Sequence, residues 1–236
     1  MGRIFEKRKY KMFARYDKMA KAFTRAGKEI AIAVKQGGPN PEYNPRLRMA
    51  IQNAKAVNMP KDRIDAAIKR AVSKDEADLE EVTYEGYAPY GVAIVMEAAT
   101  NNPTRTVANI RTYLNRAGGS LGKTGSLDFI FDRKSVFKLQ DKSLDLENLE
   151  LELIDFGLEE LGHDEEGNVV IYAGFTDFSN MQKALEERKI EVLNAEVQRI
   201  PNTFIELSEE QENEVLELIE KLEADDDIQN VYHNLK

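Results

Sequence analysis

From Ala14 to Val34 the apolar positions Met19, Phe23, Ala26, Ile30 and Ala33 recur at alternating spacings of four and three, the period of an amphipathic helix. Gly37-Gly38-Pro39 ends that pattern. Asn44-Pro45, a capping side chain followed by proline at the first helical position, predicts a second helix through Leu47, Ile51 and Ala54 toward Asn58. A third begins at Pro60, where Asp62 favours the positive helix N-terminus, and continues through Ile64, Ala67, Ile68 and Ala71. Three short helices of this kind make a small bundle.

Between Ser73 and Glu81 the apolar period is lost, as in an inter-domain hinge, and the pattern then changes to strands. Val82 to Tyr87 and Val92 to Ala98 read as two strands around Ala88-Pro89-Tyr90-Gly91, followed by a helix from Pro103 to Arg116 and a strand from Ser126 to Phe131. Residues 135 to 200 read as another α/β unit. Its elements are a strand near Val136, a helix from Leu146 to Phe156, a strand from Val169 to Ala173, a helix from Ser179 to Lys189 and a strand from Glu196 to Ile200. Ser208 with Gln211 three residues on is a capping box for an acidic helix through Val215, Leu218, Ile219 and Leu222, with a short strand around Val231. The expected fold is α+β and multidomain. A basic three-helix bundle occupies 1–76, a sandwich-like α/β domain is made from 80–133 and 204–236, and a second such domain, 134–203, is inserted into it.

Charge sharpens that division. Residues 1–74 hold 19 basic and 6 acidic side chains, net +13, whereas residues 75–236 hold 14 and 36, net −22. Any single charge run is usually a solvated face, but an excess spread over a whole domain suits the release of counterions from a phosphate backbone. Lys18, Lys21, Arg25 and Lys28 form a stripe beside the apolar face of the first helix, and Arg48 and Lys55 share the outer face of the second. Lys35, Arg46 and Lys61 belong to the same basic domain. Near the start, FEKRKYKMFARY interleaves aromatic and basic residues. Tyr10, Phe13 and Tyr16 suit core packing or base stacking equally, while Arg3, Lys7, Arg8, Lys9 and Lys11 read as a cationic arm of the kind that orders on nucleic acid.

Other chemistry is sparse. There is no Cys, which excludes disulfides, thiol nucleophiles and thiolate metal sites. His163 and His233 are isolated, and the run Asp225 to Asp227 is too contiguous to chelate without partners. Ala117 to Thr124, AGGSLGKT, comes one residue short of the nucleotide phosphate loop, but a helix is expected to lead in and a strand to leave, the reverse of that motif. A glycine-rich turn explains it better, with Lys123 left as a possible phosphate contact. In Thr100 to Thr106, TNNPTRT, capping competes with anion binding through free N–H groups and Arg105; Arg111 follows on the same helix. No apolar run is long enough to span a bilayer, no secretory signal follows the first residues, and Glu6 breaks the myristoylation pattern after Gly2, so a cytoplasmic protein is expected.

Three segments carry a family resemblance: KQGGPNPEYNPRLRMAIQNAKAVNMPKDRIDAAIKRA (35–71), YEGYAPYGVAIVMEAATNNPTRTVANIR (84–111) and AGGSLGKTGSLDFIF (117–131). They resemble the YebC family, which includes bacterial proteins described as probable transcriptional regulators and the mitochondrial translational activator of cytochrome c oxidase. The resemblance implies three domains around a cleft, the third inserted in the second. Two departures stand out: the opening MGRIFEKRKYK lacks the family's early tryptophan segment, and Asn101 stands where many relatives carry Asp.

Together these features predict a monomeric, non-enzymatic nucleic-acid-binding regulator of gene expression, without a cofactor and away from membranes. Ribosomal RNA, and hence a translation factor, fits phosphate contact without base readout. A DNA-binding transcriptional regulator is the alternative, although no dimerising heptad or helix-turn-helix is evident. A nucleotide hydrolase using Ala117 to Thr124 is the remote third possibility.

Overall fold

The computed structural model describes residues 3–73, 78–141, 143–164 and 166–236, with side chains in the first helix described from Met19 onward. The chain forms two compact units. One comprises Met1–Thr83, Met96–Tyr113 and Leu216–Val231, and the other Tyr84–Val95, Leu114–Val215 and Tyr232–Lys236.

In the first unit, α1 (Arg3–Gly37), α2 (Pro45–Ala56) and α3 (Lys61–Val72) form the expected bundle. Ala26, Ile30, Ala33 and Val34 of α1 are buried with Leu47, Ala50 and Ala54 of α2 and Ile64, Ala67 and Ala71 of α3. Apolar residues at helical spacing are thus drawn from all three helices into one core. The α1–α2 turn is fastened by Asn44, 3% exposed, whose Oδ1 accepts from Leu47 N at 3.0 Å while its Nδ2 donates to Ala33 O at 2.7 Å and Gly38 O at 2.8 Å. A Cβ at Gly37 would stand 2.7 Å from the Asn44 amide, so that position has no room for a side chain.

The segment expected to be a separate cationic arm is instead the first half of α1, whose backbone is helical from Arg3. At 1.5 Å per residue, its 35 residues measure about 52 Å.

Beyond the bundle run β1 (Glu80–Tyr87), β2 (Ala93–Thr100), α4 (Pro103–Arg116) and β3 (Ser120–Leu121). There follow β4 (Phe131–Leu139), α5 (Leu146–Leu153), β5 (Leu158–His163), β6 (Val169–Gly174), α6 (Phe178–Glu187), β7 (Val192–Pro201), α7 (Glu209–Glu223) and β8 (Ile228–His233). One sheet has the order β3-β1-β2-β8 and the other β5-β6-β4-β7, so a continuous βαββαβ segment is bracketed in the chain by the strands of the first sheet. This is the split βαβ arrangement, and it realises the inserted domain of the expected α+β fold.

Three elements differ from expectation, the first being the unanticipated two-residue strand β3. The strand expected over 126–131 is a run of turns, because main-chain N–H groups there bond to the Glu85 carboxylate and Ile130 N bonds back to Leu127 O at 2.8 Å. Strand β5, LEELGH, is not predicted by the sequence pattern. It is an edge strand rich in charge, which protects an edge but hides the alternation of apolar residues that marks a strand.

Candidate nucleic-acid interface

Because α1 is one helix, positions 3, 7, 11, 15, 18, 21, 25 and 28, all Lys or Arg, fall along one stripe by helical register. From first to last the stripe rises about 37 Å. The side chains of Arg3, Lys7, Arg8, Lys9, Lys11 and Lys18 lie outside the described residues.

Toward its C-terminal end the stripe turns onto the protein itself. Arg25 Nη2 donates to Glu223 O, the last residue of α7, at 3.0 Å. Lys28 Nζ donates to Asp226 O at 2.7 Å, Ala99 O at 2.8 Å and the Asp227 carboxylate at 3.2 Å. Cations so placed complement the negative end of a helix and its free carbonyls. Lys28 and Arg25 therefore have a structural task, which their position in a basic stripe did not reveal.

Asp227 is the centre of this arrangement. Its residue is 7% exposed, and its Oδ2 accepts from Arg105 Nη2 at 2.7 Å and from the Thr106 hydroxyl at 2.9 Å, while Oδ1 takes Lys28. Burial pushes the carboxyl up, but the bonds from Arg105, Thr106 and Lys28 outweigh it and hold the group below the ordinary carboxylate range. The bond to Asp227 likewise pushes the Arg105 guanidinium up. Asp225 next to it accepts from Asn109 Nδ2 at 3.1 Å and from its own turn at Asp227 N, 3.0 Å. Lys28, Leu79, Asn101, Arg105, Asn109 and Asp225 to Asp227 line a cleft of about 540 Å³. Three carboxylates against two cations make it a poor phosphate pocket. The Asp225 to Asp227 run, too contiguous to chelate, instead acts as an anchor for cations. Nothing in the sequence distinguishes Asp227 from its two neighbours.

The remaining sequence candidates divide by partner. Lys35 pairs with Asp78 at 2.9 Å, Arg46 with Glu81, and Arg48 Nη1 donates to Pro41 O at 2.9 Å and Glu42 O at 3.1 Å. Lys21, Lys55 and Lys61 are exposed, and no ion pair engages them among the described residues. Arg111 and Lys123 are exposed as well. The loop of Thr100 to Thr106 is capped from within: Arg105 N bonds to Asn102 Oδ1 at 3.0 Å and the Thr106 hydroxyl to Thr100 Oγ1 at 2.9 Å.

The glycine loop already holds an anion, and that anion is internal. Glu85, 2% exposed, accepts from Gly125 N and Leu127 N, both at 2.8 Å, and its main-chain oxygen accepts from Gly122 N at 2.7 Å. A helix leads into this loop and the two-residue strand β3 lies within it, whereas a nucleotide phosphate loop is entered from a strand and left by a helix. Gly119 is required for packing, since a Cβ there would lie 2.4 Å from Tyr87 O. Among the described residues no group of His, Asp and Glu is arranged to hold a metal ion, and no helix is long and apolar enough to cross a membrane.

Family models match nearly the whole chain: the TACO1/YebC protein N-terminal domain over residues 3–74, and the TACO1/YebC second and third domain over 79–235. The chain belongs to the TACO1/YebC family. It is 61% identical over 236 residues to a probable transcriptional regulatory protein of Cytophaga hutchinsonii, covering 100% of this chain and 98% of that one. It is 56% identical to one of Parabacteroides distasonis, covering 100% and 97%. The crystal structure of a conserved hypothetical protein from Aquifex aeolicus superposes with a TM-score of 0.78 at 35% identity, covering 92% of this chain and 90% of that one. The two bacterial relatives bear a regulatory description.

Proposed function

We propose that this family member is a non-enzymatic regulator of gene expression that holds nucleic acid on its basic helical bundle, and that ribosomal RNA is the target, making it a translation factor. The observation that carries this is the continuity of α1: ahead of the two internal anchors Arg25 and Lys28, one helix aligns six basic positions, 3, 7, 11, 15, 18 and 21, the layout of a rod that follows a phosphate backbone. Lys21, Lys55 and Lys61 are the described cations free to contribute, with Arg3, Lys7, Arg8, Lys9, Lys11 and Lys18 continuing the set along α1. Arg46, Arg48 and Lys35 contribute by exchanging their present partners. Arg111 and Lys123 are secondary contacts. Basic-domain residues 1–76, the discontinuous domain of 80–133 and 204–236, and the inserted domain of 134–203 are the divisions on which this function is built.

RNA is favoured because a phosphate-following helix needs no base readout and no paired half-sites. The names of the relatives favour a second reading, a DNA-binding transcriptional regulator. Crosslinking the protein in cells and sequencing the attached nucleic acid decides between them. Recovery dominated by ribosomal RNA supports the translation factor, and recovery dominated by promoter DNA replaces it with the transcriptional regulator.

A further inference from the structure

We propose that Tyr43, on the turn between α1 and α2, is a stacking platform for one unpaired nucleobase, next to cations that hold the phosphates of the same strand. This contact rests on the nucleic-acid-binding function proposed above. It adds to that function a preference for unpaired positions, which a stripe of cations by itself does not supply.

Tyr43 is 81% exposed, the most exposed large apolar side chain among the described residues. Single exposed apolar side chains are ordinary, so exposure alone assigns nothing. What sets Tyr43 apart is the fastening of the backbone that carries it. The peptide group joining Glu42 to Tyr43 is held at both ends: its carbonyl accepts from Arg48 Nη1 at 3.1 Å, and Tyr43 N donates to Asn40 O at 3.2 Å. Arg48 Nη1 also donates to Pro41 O at 2.9 Å, and Glu42 N donates to Asn40 Oδ1 at 3.0 Å. On the other side of Tyr43 stands the buried Asn44, bonded to Ala33 O of α1 and Leu47 N of α2. Pro39, Pro41 and Pro45 fix φ at three surrounding positions. A ring in open solvent is thus carried on a backbone with little freedom left to lose.

Such a ring offers a large contact area at small cost in conformational entropy, and stacking on it tolerates any base because every base has a π-face. Between Lys35 and Arg48 the chain carries three cations, Lys35, Arg46 and Arg48, against one carboxylate, Glu42. Arg46, three residues beyond Tyr43, is paired with Glu81, and the two side chains are 46% and 51% exposed. An ion pair so exposed contributes little, so a phosphate can replace the carboxylate on the same guanidinium. Bases in a paired duplex are stacked on one another and leave the ring unused, whereas a base out of the stack presents its face. An apolar pocket on a protein partner would take the ring but gain nothing from the cations, so a nucleotide is the better complement.

The test uses the full chain and two short, end-labelled RNA duplexes that differ by one bulged 2-aminopurine. Anisotropy on the fully paired duplex reads the bundle, and the ratio of the two affinities reads Tyr43. The parent should bind the bulged duplex about tenfold tighter, the size of one stacked base, and 2-aminopurine emission should fall as the base stacks. Tyr43→Ala and Tyr43→Leu should remove both the preference and the quenching while leaving the melting temperature and the affinity for the paired duplex unchanged. Tyr43→Phe should keep both. The same two duplexes made as DNA separate RNA from DNA as the source of the base. Equal affinity of the parent for the two duplexes overturns the contact, as does a preference that survives Tyr43→Ala. A preference lost in Tyr43→Ala but kept in Tyr43→Leu also overturns it, since the ring would then be a general apolar surface open to a protein partner. Lys21→Glu combined with Lys55→Glu and Lys61→Glu separates the two proposals. If that variant keeps paired-duplex binding, the bundle assignment fails whatever Tyr43 does; if it loses that binding while the parent shows no preference for the bulge, only the Tyr43 contact fails.

Discussion

Arg105 and Asp227, 122 residues apart in the chain, meet in a 2.7 Å charge-assisted hydrogen bond, and Lys28 takes the other oxygen of the same carboxylate. The carboxylate ties α1, the start of α4 and the turn before β8 to one point within the first unit. Replacing it leaves an enclosed ammonium without its counter-charge, which costs more than the pair itself is worth. Asp227→Asn is expected to lower unfolding free energy by about 2–4 kcal/mol, read from urea denaturation.

The same group predicts a pH dependence. Its folded-state pKa is below the unfolded value, so the stabilisation is complete above the ordinary carboxylate range and is lost as pH falls through the depressed value. The difference in stability between the parent and Asp227→Asn should therefore be constant near neutrality and shrink below about pH 4. A gap that stays constant down to pH 2 would mean that the charge of Asp227 contributes nothing.

Lys28 and Lys21 sit two turns apart on one stripe, yet they should behave differently. Lys28→Glu is expected to destabilise the fold, because it brings a carboxylate against Asp227 and two carbonyl oxygens. Lys21→Glu should leave the melting temperature nearly unchanged and weaken nucleic-acid binding, lowering the slope of log affinity against log salt by about one. Melting curves and salt titrations on the two variants check both halves.

Glu85 makes the glycine loop a structural feature. Glu85→Gln puts an amide where Gly125 N or Leu127 N now donates, and is expected to cost about 1–3 kcal/mol. Gly119→Ala, blocked by Tyr87 O, should cost about 3 kcal/mol, while Gly118→Ala, with φ +83° but open space, should cost about 1. ATP and GTP should not raise the melting temperature of the parent; a clear rise would restore the loop as a nucleotide site.

Local rules account for much of this protein. The period of Phe23, Ala26, Ile30 and Ala33 locates the core face of α1, Asn44-Pro45 and Ser208 with Gln211 mark helix starts, and α4 runs from Pro103 to Arg116 as its pattern requires. These are effects of neighbours within a few residues, where periodicity and capping act. Charge density, too, is a property of composition, and the excess of 19 basic over 6 acidic side chains in residues 1–74 is enough to mark the bundle.

Tertiary structure decided what each charge does. Lys28, Arg25 and Lys21 are alike by spacing, and only the approach of the α7 C-terminus and Asp227 separates two internal anchors from an exposed cation. Glu85 and the glycine loop, more than 30 residues apart, became partners only when β3 paired with β1. Arg133 faces Arg199 through a strand register that no local signal sets. A charge's role depends on the partner within a few ångströms, and that partner is supplied by chain segments far away in sequence.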